Sequence, residues 1–108
     1  MVTLNPDDGT TALINTFKVK PGRADDLLKL LTKATEQTVK HVPGFVSANL
    51  HVSLDGKQVV NYAQWRSKGE FEAAMKNPQF QAHMKDVKEL VESFDPVLYE
   101  LRYSETKA

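Results

Sequence analysis

The segment from Val59 to Arg66 constrains the fold of this chain more than any other stretch. Its β-branched and aromatic residues follow an Asp55-Gly56 turn signal and precede a charged segment, a pattern that predicts a β-strand. Side chains alternate across a strand, so Asn61 and Trp65 would share one face, about 13 Å apart along the strand. An asparagine and the only tryptophan, separated on that face by one alanine, do not form an ordinary core face. We therefore predict that this face lines a pocket.

Length and composition narrow the class of protein. At 108 residues the chain forms one domain, and a domain of this size gains buried surface by pairing with a second copy. The 14 basic and 14 acidic residues balance, which argues against nucleic acid or an anionic membrane as the partner. The absence of cysteine excludes disulfides, thiolate metal sites and cysteine nucleophiles. With no signal-like or membrane-length apolar segment, we predict a soluble cytoplasmic protein.

One strand and one long helix are predicted in the first part of the chain. The strand runs from Ala12 to Lys20, and the face that carries its apolar residues is interrupted only by Asn15. Pro21-Gly22 separates this strand from a helix over residues 23–41 with apolar residues at helical spacing. The first turn of the helix is acidic and its last turn is basic, which suits the helix dipole.

A second strand is predicted over residues 45–54, and it should form a hairpin with the Val59 strand. A two-residue turn at Asp55-Gly56 predicts these cross-strand pairs: Leu50 with Asn61, Ala48 with Ala63, and Val46 with Trp65. Two alanines would then face each other in the middle of the sheet. Since protein interiors are closely packed, such a pair either receives a bulky helix side chain or leaves room for a ligand.

The last part of the chain predicts two helices and a final strand. Ser67 should cap a short helix that runs to Lys76, and a second amphipathic helix should extend to about Ser93. A last strand is predicted over residues 97–103, so that residues 12–103 form the domain between flexible segments at 1–11 and 104–108. The order β-α-β-β-α-β predicts a ferredoxin-like α+β fold, one antiparallel sheet with helices on one face.

The other face of the predicted sheet would have no helix to cover it. Val60 and Tyr62 would lie on this face beside Asn49 and His51. A mixed aromatic and apolar patch on an open sheet is typical of an interface. We predict a homodimer that pairs sheet against sheet.

The residues from Val60 to Trp65, together with Pro43-Gly44-Phe45 and Asp55-Gly56, carry a resemblance to a known family. From Leu13 to Tyr103 the chain resembles the antibiotic biosynthesis monooxygenases, and it is most similar to the cofactor-independent members that oxidise anthrone-type polyketides to quinones. The resemblance implies a dimeric α+β barrel, a small aromatic substrate, dioxygen as co-substrate, and no cofactor or metal. It also implies catalytic roles for Asn15, Asn61 and Trp65.

The chemistry of such an enzyme suits these residue types. An oxygenase without flavin, metal or haem takes its electrons from the substrate, which an anthrone or hydroquinone supplies once it is deprotonated. The asparagines would donate hydrogen bonds to the oxyanion, and the tryptophan would provide a stacking wall and an N–H donor. None of them is a base, so deprotonation would fall to His83 or His51, to a water, or to the acidity of the substrate itself. We expect the substrate to contact Ala48, Leu50, Ala63, Phe71 and His83.

Other interpretations remain open at this point. One branch of the family has a tyrosine where this chain has Phe71, so an acid is missing there. Haem-binding relatives share the fold and Asn15 but need a tryptophan and a histidine on the helices, where Ala74 and Met84 stand. A dimeric module that only binds a small ligand is the main alternative to an enzyme. The three histidines lack ligand spacing and carboxylate partners, so no metal site is predicted.

Overall fold

The computed structural model describes residues 9–107 as an α+β domain. The elements, in chain order, are β1 (Thr11–Val19), α1 (Ala24–Gln37), a short 3₁₀ helix (Val39–His41), β2 (Phe45–Val52), β3 (Gln58–Trp65), α2 (Lys68–Met75), α3 (Pro78–Leu90) and β4 (Val91–Glu100). The predicted flexible arm at residues 1–11 lies mostly outside the described residues, and residues 101–107 have no regular secondary structure. No described helix is both long and apolar enough to cross a lipid bilayer.

The four strands form one antiparallel sheet in the order β2-β3-β1-β4. Side chains of α1 and α3 pack against one face of this sheet, where Phe17 of β1 shares a buried cluster with Leu27 and Val87. Further along the same face, Leu13 of β1 is clustered with Phe71 of α2. The predicted ferredoxin-like fold, with its helices on one face of the sheet, is therefore confirmed.

Helix α1 is shorter than its apolar periodicity predicted. Leu27, Leu31 and Ala34 are buried at helical spacing, but the helix ends at Gln37 and the chain continues into the 3₁₀ helix. Thr38 leaves the helical conformation, with φ −127° and ψ −65°, and its buried side chain is hydrogen-bonded to a histidine of α3. A β-branched residue is a weak helix former and a buried hydroxyl needs a partner, so a tertiary contact ends the helix early.

The β2–β3 hairpin has the predicted register in its middle. Leu50 pairs with Asn61 and Ala48 with Ala63, but the expected pair of Val46 with Trp65 is wrong. Phe45 pairs with Trp65 instead, because a bulge between Phe45 and Ser47 inserts one residue into β2. The exposed side chain of Val46 therefore lies outside the pairing that the sequence predicted.

The turn of this hairpin spans four residues rather than two, since the Ser53 N–H donates to the Gln58 carbonyl at 2.8 Å. A two-residue turn and a four-residue turn that are both centred on Asp55-Gly56 give the same cross-strand pairs. The register predicted for the middle of the hairpin is therefore right. The Asp55 carboxylate accepts from the Ser53 hydroxyl at 2.6 Å and from the Lys57 N–H at 2.9 Å. These two hydrogen bonds, the first more than the second, lower the pKa of Asp55 from its ordinary value.

The last strand begins earlier than predicted. Helix α3 ends at Leu90, not near Ser93, and β4 starts at once with Val91, so the predicted strand over residues 97–103 is six residues too late at its start. The prediction placed the end of the helix too late because the apolar residues 90–91 continue the helical pattern. In the structure the Leu90 carbonyl instead accepts from the Lys20 N–H at 3.0 Å, and this hydrogen bond joins the end of α3 to the end of β1. Pro96 lies within β4 because an edge strand has one side without ladder hydrogen bonds.

The predicted start of α2 at Ser67 is confirmed. The Ser67 hydroxyl accepts from the Glu70 N–H at 3.1 Å, and Asn77 caps α3 with Pro78 in its first turn. Gly44, with φ 90°, is in a conformation that favours glycine, and a side chain there would collide with Glu70. The absence of that side chain lets the first turn of α2 lie directly against the start of β2.

Candidate active site

The sheet and the helices enclose a cavity of about 450 Å³. Two buried clusters contribute to its wall: the Phe17 cluster (Phe17, Val19, Leu27, Leu31, Val59, Val87 and Val91) and the Trp65 cluster (Leu13, Ala63, Trp65, Phe71 and Ala74). Most of the lining is aliphatic or aromatic. The polar side chains that line it are those of Asn15, Thr35, Asn61, His83 and Lys88, and the indole of Trp65 lines it as well.

Asn15 and Asn61 are direct cross-strand partners on β1 and β3. On β1 the asparagine lies between Leu13 and Phe17, which belong to different clusters, so the pair interrupts the apolar face of the sheet where the two clusters meet. Residues directly opposite on antiparallel strands have their Cβ atoms about 4.5–5.5 Å apart. Both amides can therefore contact the same substituent of a ligand.

Trp65 is held at the end of β3 by aromatic contacts. Its ring meets Phe45 edge to face at a centroid distance of 5.6 Å and meets Phe71 in the same manner at 5.7 Å. Only 2% of its surface is exposed. The indole is thus fixed in orientation by β2 on one side and α2 on the other, and it lines the cavity.

Three buried side-chain nitrogen or oxygen atoms in residues 9–107 have no hydrogen-bond partner: Oδ1 of Asn15, Oδ1 of Asn61 and Nε1 of Trp65. All three residues line the same cavity. Burying a polar atom without a partner costs free energy, and buried groups in native proteins are nearly always paired, so such exceptions point to a role outside folding. The structure brings to one cavity the three residues for which the family resemblance implied catalytic roles.

The other predicted contact residues divide into two groups. Ala48 and Ala63 line the cavity as a cross-strand pair of small side chains, and Phe71 lines it beside Trp65. Leu50 pairs with Asn61 but packs against the Phe17 cluster and does not belong to the lining. The alanine pair leaves room that larger side chains would fill.

Of the three histidines, only His83 lines the cavity. Its Nε2 lies 3.1 Å from the hydroxyl of Thr38, a residue that is 6% exposed. His51 is exposed on β2 with Nδ1 3.2 Å from the Asn49 carbonyl, and His41 is exposed in the 3₁₀ helix. The sequence left both His83 and His51 as candidates for the base, and the structure distinguishes them, because only His83 lines the cavity.

Several lining residues had no site signal in the sequence. Phe45 reaches Trp65 because of the bulge in β2, and Thr35 and Phe80 line the cavity from α1 and α3. Three more come from β4, whose start was predicted too late: Phe94, Pro96 and Leu98. The alternation of these three residues could have marked this part of β4 as a strand, but not its start at Val91.

The acidic residues take no part in this cavity wall, because none of the lining residues is an aspartate or glutamate. Within residues 9–107, no group of three or more histidine, aspartate or glutamate side chains is arranged to hold a metal ion. The polar chemistry available to a ligand comes from two amides, an indole N–H, an imidazole, a threonine hydroxyl and a lysine.

Sequence comparison identifies the family. The antibiotic biosynthesis monooxygenase model matches residues 10–86, well over half of the chain. The chain is also 41% identical over 104 residues to a tetracenomycin-F1 monooxygenase of Streptomyces glaucescens, covering 96% of this chain and 92% of that protein. This chain belongs to the antibiotic biosynthesis monooxygenase family. The family predicted from the sequence and the enzyme class of monooxygenase are therefore confirmed.

Two solved structures share the fold of this monooxygenase. SnoaB, a cofactor-independent oxygenase from Streptomyces nogalater, superposes with a TM-score of 0.81 at 22% identity, covering 92% of this chain and 99% of that chain. A monooxygenase from the gene ActVA-Orf6 of Streptomyces coelicolor, solved with the ligand nanaomycin D, has a TM-score of 0.80 at 29% identity over 96% of both chains. The antibiotic biosynthesis monooxygenase fold thus extends over nearly the whole domain.

Proposed function

We propose that this monooxygenase oxidises an anthrone- or hydroquinone-type aromatic polyketide to a quinone with dioxygen and without a cofactor. The observation that carries the proposal is that Asn15, Asn61 and Trp65, which line one apolar cavity, each have a buried side-chain polar atom without a partner. A flat polycyclic phenol offers apolar surface to that wall and oxygen substituents to those atoms. The likeness to a tetracenomycin-F1 monooxygenase supports a polycyclic aromatic substrate.

The reaction balances with the substrate as the sole reductant. Conversion of an anthrone CH₂ to a quinone C=O removes two hydrogens and four electrons from the substrate. One oxygen atom of dioxygen enters the new carbonyl, and the other leaves as water with the two hydrogens. Because all four electrons come from the substrate, the protein needs to supply only binding, proton transfer and stabilisation of charge.

We assign removal of the first proton to His83. It is the only histidine in the cavity wall, and its hydrogen bond to Thr38 fixes the orientation of the ring. Removal of the proton gives an electron-rich anion, which passes an electron to dioxygen before the new C–O bond forms. The peroxide that forms takes the proton back from His83, and loss of water then breaks the O–O bond and the remaining C–H bond.

The two asparagines stabilise the negative charge that develops on the substrate oxygen. An amide side chain can present its oxygen to a phenolic O–H or, after rotation, its NH₂ to an oxyanion. Because Asn15 and Asn61 are held side by side on adjacent strands, both amides can act on the same substrate oxygen when the charge forms. The indole N–H of Trp65 adds a third donor, and its ring provides a stacking surface.

The apolar lining suits the second substrate. Dioxygen is apolar and enters such a cavity more readily than it dissolves in water, whereas the same lining disfavours water beside the reactive anion. Phe45, Phe71 and Leu13 supply part of this wall. A dry cavity also strengthens the hydrogen bonds from the amides to the oxyanion.

The proposal includes a homodimer formed through the open face of the sheet. The ladder places Ile14, Tyr62 and Val97 in one row across β3, β1 and β4 on the face opposite the helices. All three are apolar or aromatic side chains with surface still accessible in the single chain. Burial of this row against a second copy would remove that surface from water.

The test is oxygen uptake with a dithranol-like anthrone, corrected for spontaneous oxidation. Asn61→Ala should lower turnover by about 10²-fold, the scale of one lost preorganised donor. Gln58→Ala is the matched control, since it removes an exposed amide from the same strand outside the cavity. Equal rates for wild type and Asn61→Ala would overturn the role of Asn61.

The same assay also tests the alternative that the sequence left open, a binding module without catalysis. Wild-type rates no faster than buffer across several anthrones and hydroquinones, together with saturable quenching of Trp65 fluorescence by those compounds, would favour the binding module. The cavity and its three unpartnered atoms would then serve recognition alone.

A further inference from the structure

Thr35 of α1 lines the cavity with a hydroxyl group whose hydrogen is already in use. This hydroxyl donates to the Leu31 carbonyl, one helical turn earlier, at 2.8 Å. A hydroxyl has one hydrogen and two lone pairs, so the Thr35 oxygen is left as an acceptor only. No group in residues 9–107 donates a hydrogen bond to this oxygen. The cavity wall therefore contains an acceptor that the oxidation chemistry does not use.

Thr35 and the asparagine pair border the same part of the cavity from different layers. On the helix side, Leu31 belongs to one buried cluster, Val39 packs against the other, and Thr35 lies midway between them in the chain. On the sheet side, Asn15 lies between members of the same two clusters. A ligand that fills the junction of the clusters therefore meets the amides on one side and the Thr35 hydroxyl on the other.

The proposed reaction determines which edge of the substrate faces Thr35. In an anthrone, the carbonyl carbon and the reacting CH₂ lie on opposite sides of the central ring. With the oxyanion at Asn15 and Asn61 on the sheet, the CH₂ faces the helices, where His83 lines the cavity. Thr35 lines it from the neighbouring helix, and the contact of Thr38 with His83 at 3.1 Å joins the two helices there. A substituent beside the CH₂ therefore lies on the side of Thr35.

We propose that the Thr35 hydroxyl accepts a hydrogen bond from a phenolic O–H next to the reacting CH₂, so that anthrones hydroxylated at this peri position are the preferred substrates. This inference rests on the proposed function, because it takes the oxyanion to lie at the asparagine pair. The contact belongs to the substrate and not to the product. Once the CH₂ has become a carbonyl, the same O–H forms an internal hydrogen bond to the new oxygen. Thr35 is thereby a residue that determines specificity and distinguishes the substrate from the quinone.

A purely local role for Thr35 predicts different results. Threonine in a helix often donates to the carbonyl one turn before it, and such a bond acts on the helix without regard to the ligand. Thr35→Val keeps the shape of the side chain and removes only the hydroxyl. The Leu31 carbonyl keeps the backbone N–H that an α-helix provides four residues later, so we expect this variant to fold.

The test compares a peri-hydroxyanthrone with its methyl ether, which has the same ring system without the O–H. Thr35→Val should raise the KM for the hydroxy compound on the order of fivefold, the scale of one neutral hydrogen bond, with kcat retained. The KM for the ether should be the same in both proteins. Thr35→Ser keeps the hydroxyl and should behave like the wild type with both compounds. Inhibition by the quinone product should be equally strong in all three proteins.

Thr32→Val is the matched control, because Thr32 is an exposed threonine of the same helix outside the cavity lining. This variant should behave like the wild type with both compounds. An equal KM for the hydroxy compound in wild type and Thr35→Val, or the same loss with the ether, would overturn the proposal. If the wild type oxidises neither compound, the proposed function fails, and the Kd values measured by quenching of Trp65 fluorescence decide the role of Thr35 by the same comparison.

Discussion

Asn15 and Asn61 face each other across the β1–β3 ladder, and each has a buried amide oxygen without a hydrogen-bond partner. Two adjacent asparagines would ordinarily satisfy each other or be replaced by apolar residues, because a strand disfavours asparagine and a core disfavours an unpaired amide. Here the pair lies between two apolar clusters and borders the cavity. The arrangement gives up stability in the free protein to keep polar groups ready for a ligand.

Replacement of Asn61 by leucine should increase stability and lower activity together. The free energy of unfolding should rise by about 1–3 kcal/mol, since an unpaired buried amide is replaced by an apolar group, while anthrone oxidation falls by about 10²-fold. Urea denaturation and oxygen uptake measure the two effects. Asn49→Leu is the control, and it should lower the free energy of unfolding, because the Asn49 amide donates to the Tyr62 carbonyl at 3.0 Å and this hydrogen bond would be lost. If Asn61→Leu loses as much stability as Asn49→Leu, the role of Asn61 is to stabilise the fold and not to bind the substrate.

Trp65→Phe separates the indole N–H from the aromatic surface. A phenyl ring keeps most of the contact with Phe45 and Phe71 but lacks the N–H donor. The factor by which kcat falls should therefore be larger than the factor by which the substrate Kd rises. Trp65→Ala should instead destabilise the protein by about 3–5 kcal/mol through the cavity that it creates. Steady-state kinetics and thermal unfolding of both variants measure these effects. A Trp65→Phe enzyme with unchanged kcat would remove the N–H from the mechanism.

His83→Ala should lower kcat on the order of 10²-fold, and added imidazole should restore part of the activity by replacing the lost base. The hydrogen bond to Thr38 predicts a further comparison. Thr38→Ser keeps the hydroxyl and should keep most of the rate, whereas Thr38→Val removes it and should lower kcat with little change in KM. If imidazole has no effect and Thr38→Val is fully active, the substrate loses its proton without help from this pair.

Charge on the open face of the sheet should dissociate the proposed dimer. We expect sedimentation of the wild type at about twice the chain mass of 12.1 kDa, and Tyr62→Glu should give a monomer or fail to fold. Leu54→Glu is the control, since this fully exposed residue of the hairpin turn lies outside the face. A wild type that sediments as a monomer at micromolar concentration would contradict the dimer.

The purified protein should be colourless and contain no stoichiometric flavin, haem or metal. The one histidine that lines the cavity, His83, is hydrogen-bonded to Thr38. The chain has no cysteine and no glycine-rich loop of the kind that binds nucleotide cofactors. Absorption spectra and elemental analysis check this. Tight binding of added haem, with a sharp Soret band that disappears in His83→Ala, would instead favour a haem-binding relative.

The sequence by itself determined the local features of this protein. Alternation along residues 59–66 placed Asn61 and Trp65 on one face, and the Asp55-Gly56 signal set the register of the hairpin, because both depend on residues close together in the chain. The family resemblance extended those features to Asn15 and to the enzyme class. The bulge at Phe45 and the early start of β4 were not predictable, since a contact with Trp65 and a hydrogen bond from Lys20 decide them.

Only the tertiary structure decided which polar groups meet. The pairing of Asn15 with Asn61 joins strands that are separated by a helix and a further strand, and no local pattern fixes the register of such a pair. The same packing of α3 over the sheet brings His83 and Lys88 to the cavity. Sequence periodicity states which face of an element is apolar, whereas the position of one element over another depends on how their side chains fill the common core.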